Sequence, residues 1–358
     1  MMRESEASLS TGLSILRAPG HGLLTVSTGA DAAASFVKKY FKKHSSMGWV
    51  PRLTEVTAAE HPWLIGVPSD SGGGICRGAA HGPLALRQEL YARDRFWCAF
   101  DLGDVPCIPQ LVHDSMLNEI QREASARSLW GVHYSEGSAA SPLSLLEDLL
   151  VQIWRRYADF RPFILGGDHS ISGPVFAAMD RVGKTQRLAV LHIDAHTDLL
   201  ESRFGVQHCF GTWTSHALKT LGNPMAWVQI GIRASGKDKQ HWESGFGLKQ
   251  YWSRELVKKD PLKFADELCD HWRSLGCDSL YITNDIDGTD AAWVPATGTP
   301  EVRGLNPLWL RKVLSRVSSQ LSLVGADMME VAPVLGPSAG ARKTVKTAVN
   351  YIEALRWK

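Results

Sequence analysis

Two short segments place aspartates and histidine at spacings that suit metal binding. In LHIDAHTD, Asp194, His196 and Asp198 occupy alternate positions. Alternate residues of an extended chain point to the same side. Asp285 and Asp287 repeat the spacing in TNDIDGTD. The pattern favours a metal site, although a DxHxD segment alone is equally compatible with a structural strand end.

A third segment, GGDHS, supplies a second imidazole from His169. The three segments together offer four carboxylates and two imidazoles, which is more than one divalent ion normally needs. Carboxylates can bridge two cations about 3.5–4 Å apart, the arrangement that generates metal hydroxide at neutral pH. An oxygen-rich set without thiolate favours two Mn²⁺ ions, with Ni²⁺ as the alternative.

The elements that must position these residues are short apolar runs alternating with helical patterns. The runs are Trp63–Val67, Phe96–Leu102, Phe163–Leu165, Leu188–Ile193, Trp227–Ile232, Ser279–Ile282 and Leu321–Val324. They are continuous, as in strands buried on both faces of a parallel sheet. Helical spacing is found in Leu143–Tyr157 and Pro307–Gln320. This alternation predicts a single-domain, three-layer α/β/α fold with a mostly parallel, doubly wound sheet.

Each polar cluster directly follows an apolar run, and ligands of open α/β sheets bind beyond the carboxyl ends of the strands. We therefore expect the three clusters to converge. Residues 61–358 form the predicted catalytic domain, whereas residues 1–60 differ in composition and form a predicted N-terminal extension. That extension contains one helical stretch, Asp31–Lys43, and we expect it to pack on the surface or at a subunit contact.

Bulk composition excludes several classes of protein. The net charge of +2 indicates neither nucleic acid nor an anionic membrane as partner. No apolar run is long enough to span a bilayer, and the six cysteines form no CxxC pair, which is typical of a reducing compartment. The first residues lack the apolar core of a secretory signal. We expect a cytoplasmic protein, with a transit peptide left open.

The three segments resemble the metal motifs of the ureohydrolase (arginase and agmatinase) family. Further segments resemble the family as well: Gly66–Arg87, Asp101–Asp104, Pro295–Leu305 and Ala326–Pro333. The resemblance extends from about residue 63 to the C-terminus. It implies that two aspartates bridge a pair of metals and that each metal has two further ligands. The implied bridges are Asp194 and Asp285, with His169 and Asp198 on one metal and His196 and Asp287 on the other.

The resemblance also implies the reaction. A metal-bridging hydroxide attacks the central carbon of a guanidino compound, and a C–N bond breaks to release urea and an amine. Glu330 matches the carboxylate that binds the guanidinium group, and His208 matches a histidine proposed to shuttle protons. The leaving amine takes its proton through Asp287 or His208. For His208 the alternative is a surface histidine, and for Glu330 it is an ion-paired strand-end carboxylate.

Substrate choice is expected to depend on the loop Leu199–Gln207. Arginases place an Asn where this chain has Leu200, so agmatinases and guanidino-acid hydrolases are the nearer match. Glu201 suits the amine of agmatine, and Arg203 suits the carboxylate of a guanidino acid; the alternative is that both face solvent. Trp213, beside the second motif, is compatible with a pocket wall or with core packing.

Two other functions are compatible with parts of the pattern. Formimidoylglutamase shares the metal motifs and would release formamide. A metal-free regulatory or binding relative is a different class, and the complete ligand set argues against it. The family is usually oligomeric, so we expect a trimer or hexamer acting on a small guanidino substrate.

Overall fold

A single parallel sheet lies at the centre of the protein. The computed structural model describes residues 13–24, 30–41 and 61–357. Its strands are β1 (Trp63–Val67), β2 (Asp101–Asp104), β3 (Pro162–Gly166), β4 (Leu188–Ile193), β5 (Trp227–Ile230), β6 (Lys249–Tyr251), β7 (Ser279–Asn284) and β8 (Ser322–Met328). They pair in the order β2-β1-β3-β8-β7-β4-β5-β6. Every pairing is parallel, which confirms the predicted fold class.

Helices flank the sheet and connect its strands. They are α1 (Ala30–Tyr40), α2 (Gly82–Arg93), α3 (Glu119–Trp130), α4 (Pro142–Arg156), α5 (Ser172–Arg181), α6 (Trp213–Ala217), α7 (Lys239–Phe246), α8 (Ser253–Leu256), α9 (Pro261–Ser274), α10 (Pro307–Gln320) and α11 (Ser338–Ile352). Helix α10 begins at Pro307, as predicted, and the Asn306 side chain accepts the first free amides. Among the described helices, none has the length and apolar character that crossing a bilayer requires.

The predicted strands agree with the structure except at the sheet edges. Strands β1 and β4 have the predicted bounds. The prediction of a strand over Phe96–Leu102 was wrong, because Arg95–Phe100 forms 3₁₀ turns and only Asp101–Asp104 is extended. The Asp94 side chain caps these turns by accepting from the Phe96 amide. Strand β6 was missed because it is a short edge strand with alternating partial burial.

The strand order brings the motifs together. His169 follows β3, Asp194 follows β4, Asp285 follows β7 and Glu330 lies beyond β8. These four strands are adjacent in the order β3-β8-β7-β4. Because they are parallel, their carboxyl ends lie along the same edge of the sheet, which is where open α/β sheets bind ligands.

The described parts of the N-terminal extension pack on the edge of the sheet that carries β2. Arg17 and Asp104 exchange two backbone hydrogen bonds of 2.8 Å. In α1, Phe36 is buried and stacks on Tyr91 of α2 with ring centroids 5.4 Å apart. Residues 1–12, 25–29 and 42–60 of the extension lie outside the described residues. Its place at a subunit contact stays a prediction.

A buried ion pair network fixes this edge. Arg87 of α2 is fully buried and its Nε donates to Asp101 at 2.7 Å, while Nη1 donates to Asp104. The second oxygen of Asp104 accepts from the amides of Gly20 and Gly22, at 2.7 and 3.1 Å. One arginine therefore pairs with both acids of β2, and Asp104 in turn holds the extension in place.

We predict that Arg87→Met strongly destabilises the protein, because it leaves two buried carboxylates without a cation. Loss of one partner of a buried pair costs about 3–5 kcal/mol. The matched control is Arg93→Met on the same helix, whose side chain pairs near the surface with Glu89 and Glu353 and whose loss costs about 1 kcal/mol or less. Unfolding free energies from chemical denaturation measure both, and equal losses would contradict the assigned role of Arg87.

Candidate metal centre

One imidazole gathers three of the predicted aspartate ligands. His169 Nδ1 lies 3.1 Å from Asp194 Oδ2, 3.3 Å from Asp285 Oδ2 and 3.5 Å from Asp198 Oδ2. Its Nε2 lies 2.9 Å from the hydroxyl of Thr283, which fixes the ring from behind. All these residues are buried. Carboxylates from three different segments therefore converge on one point.

A second group shares Asp194 with the first. His196 Nδ1 lies 3.1 Å from Asp287 Oδ2 and 3.4 Å from Asp194 Oδ1. Asp194 thus directs one oxygen to each group. The two groups are further joined by the Asp287 amide, which donates to Asp285 Oδ1 at 2.8 Å. The six side chains predicted as metal ligands therefore lie together, in two groups that share Asp194.

The cluster carries more negative charge than its buried setting tolerates. Burial and the neighbouring acids raise the pKa values of Asp198 and Asp285 well above the usual range. Burial alone would lower the pKa of His169 and of His196, but the surrounding carboxylates outweigh it and raise both. No Lys or Arg within the described residues forms an ion pair with these acids. The arrangement therefore favours binding of cations, which would replace the protons.

The backbone conformation and a core tryptophan fix the orientation of the Asp198 side chain. Its φ is 51°, in the left-handed region that non-glycine residues rarely adopt. The indole Nε1 of Trp213 donates to Asp198 Oδ2 at 2.9 Å. Trp213 is buried and its ring lies 4.6 Å from that of His169. Trp213 is therefore a core residue that also holds a carboxylate in the cluster.

The two glycines of GGDHS allow a close backbone approach. A Cβ at Gly167 would lie 1.7 Å from the carbonyl oxygen of Ser69, so no side chain fits there. Asp168 then accepts from the amides of Gly72 and Ser170, each at 3.0 Å. Burial raises the pKa of Asp168 to about 6. The motif thus joins the end of β3 to the loop after β1 and fixes the position of the histidine that follows.

His192 is a functional residue that motif analysis missed. It lies two positions before Asp194 on β4, and its Nε2 is 3.0 Å from Asp194 Oδ2. The amide nitrogen of Gln229 donates to His192 Nδ1 at 3.0 Å, which leaves the ring proton on Nε2. Burial lowers the pKa of His192. His192 is therefore a neutral donor that orients Asp194 rather than a further metal ligand. The alternating spacing of DAHTD, extended by two residues toward the N-terminus, includes His192, and this pattern could have identified it.

The hydrogen bonds continue across the sheet as a chain. Gln229 Oε1 accepts from Gln250 Nε2 at 2.7 Å, and Gln250 Oε1 accepts from the Trp252 indole at 2.9 Å. His192, Gln229 and Gln250 are register partners on β4, β5 and β6. Because register partners on parallel strands point to the same side, the sheet itself aligns this chain. Both glutamines are fully buried, and their polar groups are used in holding the imidazole.

Glu330 borders the cluster on a left-handed backbone turn, with φ of 61°. Its amide donates to Gly167 O at 2.8 Å, and its Oε1 accepts from the His169 amide at 3.0 Å. A Cβ at Gly298 would lie 3.5 Å from Oε2, so the glycine leaves space beside that oxygen. Burial and the nearby Asp285 raise the pKa of Glu330 well above its usual value. A cation in this space would restore the ionised form.

His208 lies in a different environment from the cluster. Its ring stacks on His113 with centroids 4.0 Å apart, and its Nε2 lies 3.1 Å from Ser115 Oγ. His208, His113 and His216 line a cavity of about 110 Å³. Burial and these two histidines lower the pKa of His208 to about 4, so the ring is neutral at pH 7. Within the described part of the chain, no hydrogen bond or ion pair joins it to the predicted ligands.

The two charged side chains expected to bind the far end of the substrate are exposed. Glu201 and Arg203 belong to a loop whose residues 201–207 are all exposed. The Arg203 guanidinium lies over the ring of Phe210 at 5.1 Å. Phe210 in turn donates its amide to Gly72 O at 3.0 Å, which ties this loop to the loop after β1. The substrate roles of Glu201 and Arg203 stay predictions.

Comparison with known proteins agrees with the geometry. A model of the arginase family matches residues 61–356. The chain belongs to the arginase family. It is 31% identical to guanidinopropionase of Pseudomonas aeruginosa over 294 residues, which are 79% of this chain and 82% of that relative. It is also 31% identical to the mitochondrial agmatinase of Gallus gallus over 298 residues, 79% of this chain and 78% of that relative.

The fold of this arginase-family chain is similar to a solved arginase. The crystal structure of arginase from Bacillus subtilis superposes with a TM-score of 0.64 at 25% identity, covering 82% of this chain and 98% of that one. The resemblance to the family inferred from the motifs is thus confirmed, as is the enzyme class. The metal, the oligomeric state and the cytoplasmic location stay predictions.

We predict that His192→Leu weakens metal binding, because Asp194 loses the donor that orients it. Partners of this kind change metal affinity by about 10- to 100-fold. Titration of the metal-free protein with Mn²⁺ in a calorimeter gives the affinity directly. His192→Gln, which can place an amide donor near the same site, is the control and should recover part of the loss. An unchanged Mn²⁺ affinity in His192→Leu would remove the assigned role.

Proposed function

We propose that this arginase-family chain is a metal-dependent hydrolase that cleaves a C–N bond in a guanidino compound and releases urea and an amine. The observation that carries the proposal is the convergence of acids and imidazoles at the ends of four adjacent strands. His169 alone lies within 3.5 Å of three carboxylates. Such a site requires cations and attracts a cationic substrate.

The donor set fits two divalent cations. The proposed bridges are Asp194 and Asp285, with His169 and Asp198 completing one site and His196 and Asp287 the other. Asp194 directs one oxygen to each group, and this geometry supports the proposal that it bridges the two cations. Oxygen and imidazole donors without thiolate favour Mn²⁺, and Ni²⁺ is the alternative. When bound, a pair of such cations makes water nucleophilic at neutral pH and stabilises negative charge that develops on the reacting group.

The residues of the chain then bind the substrate and move protons. Glu330 Oε2, beside the space at Gly298, accepts hydrogen bonds from the guanidinium group and holds its central carbon near the shared aspartates. Asp287 accepts a hydrogen bond of 2.9 Å from the Thr299 hydroxyl and lies within the cluster. We assign Asp287 as the group that takes the proton from the attacking water and passes it to the leaving amine. The neutral state of His208 makes it a poor donor at pH 7.

The names of the relatives favour guanidino compounds over the formimino group of formimidoylglutamate. Guanidinopropionase and agmatinase are among the matches, and they differ in whether the far end of the substrate is named as an acid or an amine. The complete ligand set argues against a metal-free regulatory protein. We retain a trimer or hexamer and a cytoplasmic location as proposals from the sequence.

We predict urea release after loading with Mn²⁺, and separately with Ni²⁺, from at least one compound among agmatine, 4-guanidinobutyrate, 3-guanidinopropionate and arginine. Asp194→Asn should abolish turnover, because Asn cannot bridge two cations as a carboxylate does. Arg93→Met, remote from the cluster, is the control and should keep turnover. Formamide from formimidoylglutamate, with no urea from any guanidino compound, would contradict the proposal.

We predict that Mn²⁺ raises the melting temperature and that the increase becomes smaller as the pH falls from 8 to 6. In the metal-free protein the raised pKa values of His169 and His196 mean that both imidazoles hold protons. Those protons stabilise the metal-free fold at low pH, and metal must displace them. At a metal concentration of 100 times Kd, binding contributes about 2.7 kcal/mol. A Mn²⁺ effect that is absent, or larger at pH 6, would contradict the ligand assignment.

A further inference from the structure

A second cavity, of about 680 Å³, is lined by residues outside the candidate metal cluster. It is bordered by Asp70, Arg77 and His81 from the segment that joins β1 to α2, and by Leu23 from the N-terminal extension. None of these residues belongs to the metal motifs. The cavity therefore combines charged groups of the catalytic domain with an apolar residue of the extension.

The cavity segment reaches the space beside Glu330. A Cβ at Gly298 would lie 3.0 Å from the carbonyl oxygen of Cys76 and 3.5 Å from Glu330 Oε2. Cys76 and Glu330 thus flank the same glycine, and Arg77 is the next residue. Asp70 is close enough to Glu330 to raise its pKa. The backbone at Cys76 and Arg77 therefore lies next to the space beside Glu330.

The two opposite charges of the cavity differ in their availability. Asp70 is partly buried and its carboxylate accepts from the backbone amides of Gly78, Ala79 and Ala80. Its acceptor capacity is thus taken up by the start of the following helical turns. Arg77 is exposed, and within the described residues its guanidinium has neither a hydrogen bond nor an ion pair. The charge available to a ligand is therefore positive.

We infer that Arg77 binds the carboxylate of a guanidino carboxylic acid whose guanidinium end contacts Glu330. This inference rests on the proposed function and extends it to the class of substrate. A planar guanidinium group matches a carboxylate with two parallel hydrogen bonds. Agmatine would instead bring a second positive charge toward Arg77, which like-charge repulsion disfavours.

Arg203 is the arginine that the sequence suggested for this role. It lies on the loop Leu199–Gln207. Its guanidinium lies over the ring of Phe210, and the surrounding residues 201–207 are exposed. Arg77 lies one residue before Gly78, whose amide is bonded to Asp70. The backbone at Arg77 is thus fixed next to the cavity, which makes this arginine the better placed of the two.

The test compares Arg77→Gln with Arg203→Gln, the competing candidate for the same role, in the Mn²⁺-loaded full chain. Urea release is measured with 4-guanidinobutyrate, 3-guanidinopropionate, agmatine and the uncharged methyl ester of 4-guanidinobutyrate. We expect the wild type to prefer the two acids. Arg77→Gln should raise KM for both acids by roughly 10- to 100-fold, the range for a lost charge-assisted hydrogen bond. In this variant kcat and the kinetics with the ester should change little, whereas KM for agmatine should fall because the like-charge repulsion is removed.

Arg77→Lys should recover part of the affinity, and Arg203→Gln should leave the preference for acids intact. Preference of the wild type for agmatine would overturn the inference. So would an equal loss with acids and ester in Arg77→Gln, or a larger acid-selective loss in Arg203→Gln. If no compound yields urea, the proposed function fails. The Arg77 contact is then tested separately by calorimetric binding of 4-guanidinobutyrate. Weaker binding in Arg77→Gln supports the contact, and unchanged binding overturns it.

Discussion

Repulsion among buried carboxylates is the constraint on which the rest of this structure depends. Asp194, Asp198, Asp285 and Glu330 lie within one buried region, and burial raises the pKa of three of them. Such a region persists only when strong packing elsewhere holds it together. The fully buried strands β3 and β4 provide that packing. Cations then relieve the repulsion, so stability and catalysis have the same requirement.

The interior of the fold could be predicted from sequence because each central strand is a continuous apolar run. The bounds of β4 follow directly from Leu188–Ile193. The edges could not be predicted in this way. Strand β2 consists of Asp101–Asp104, whose two acids both pair with Arg87 from α2. The apolar character of residues 96–100 serves 3₁₀ turns instead. A strand stabilised by a distant arginine leaves no apolar signal in its own residues.

Within the candidate site, too, some features could be predicted from the sequence and others could not. The metal-ligand candidates could be predicted because their spacing is local and each group follows an apolar run. Gln229 and Gln250 could not, because their role arises from the register of three strands that are far apart in sequence. His208 was predicted from its position in a motif, yet its ring is stacked on His113. Local spacing identifies the candidate ligands, whereas only tertiary structure identifies the groups that orient them.

The candidate ligands and the loops that carry Arg77 and Arg203 are different segments, and this separation affects substrate choice. The candidate ligands lie at strand ends held by a hydrogen-bonded sheet, so a change there would disturb metal binding as well as substrate binding. The loops that carry Arg77 and Arg203 contribute none of the six candidate ligands. Charge on these loops can therefore change while the chemistry is kept. Arg77 precedes Gly78, whose amide donates to Asp70, and among the described residues its guanidinium has no hydrogen bond or ion pair. It is therefore the residue that we propose for binding the far end of the substrate.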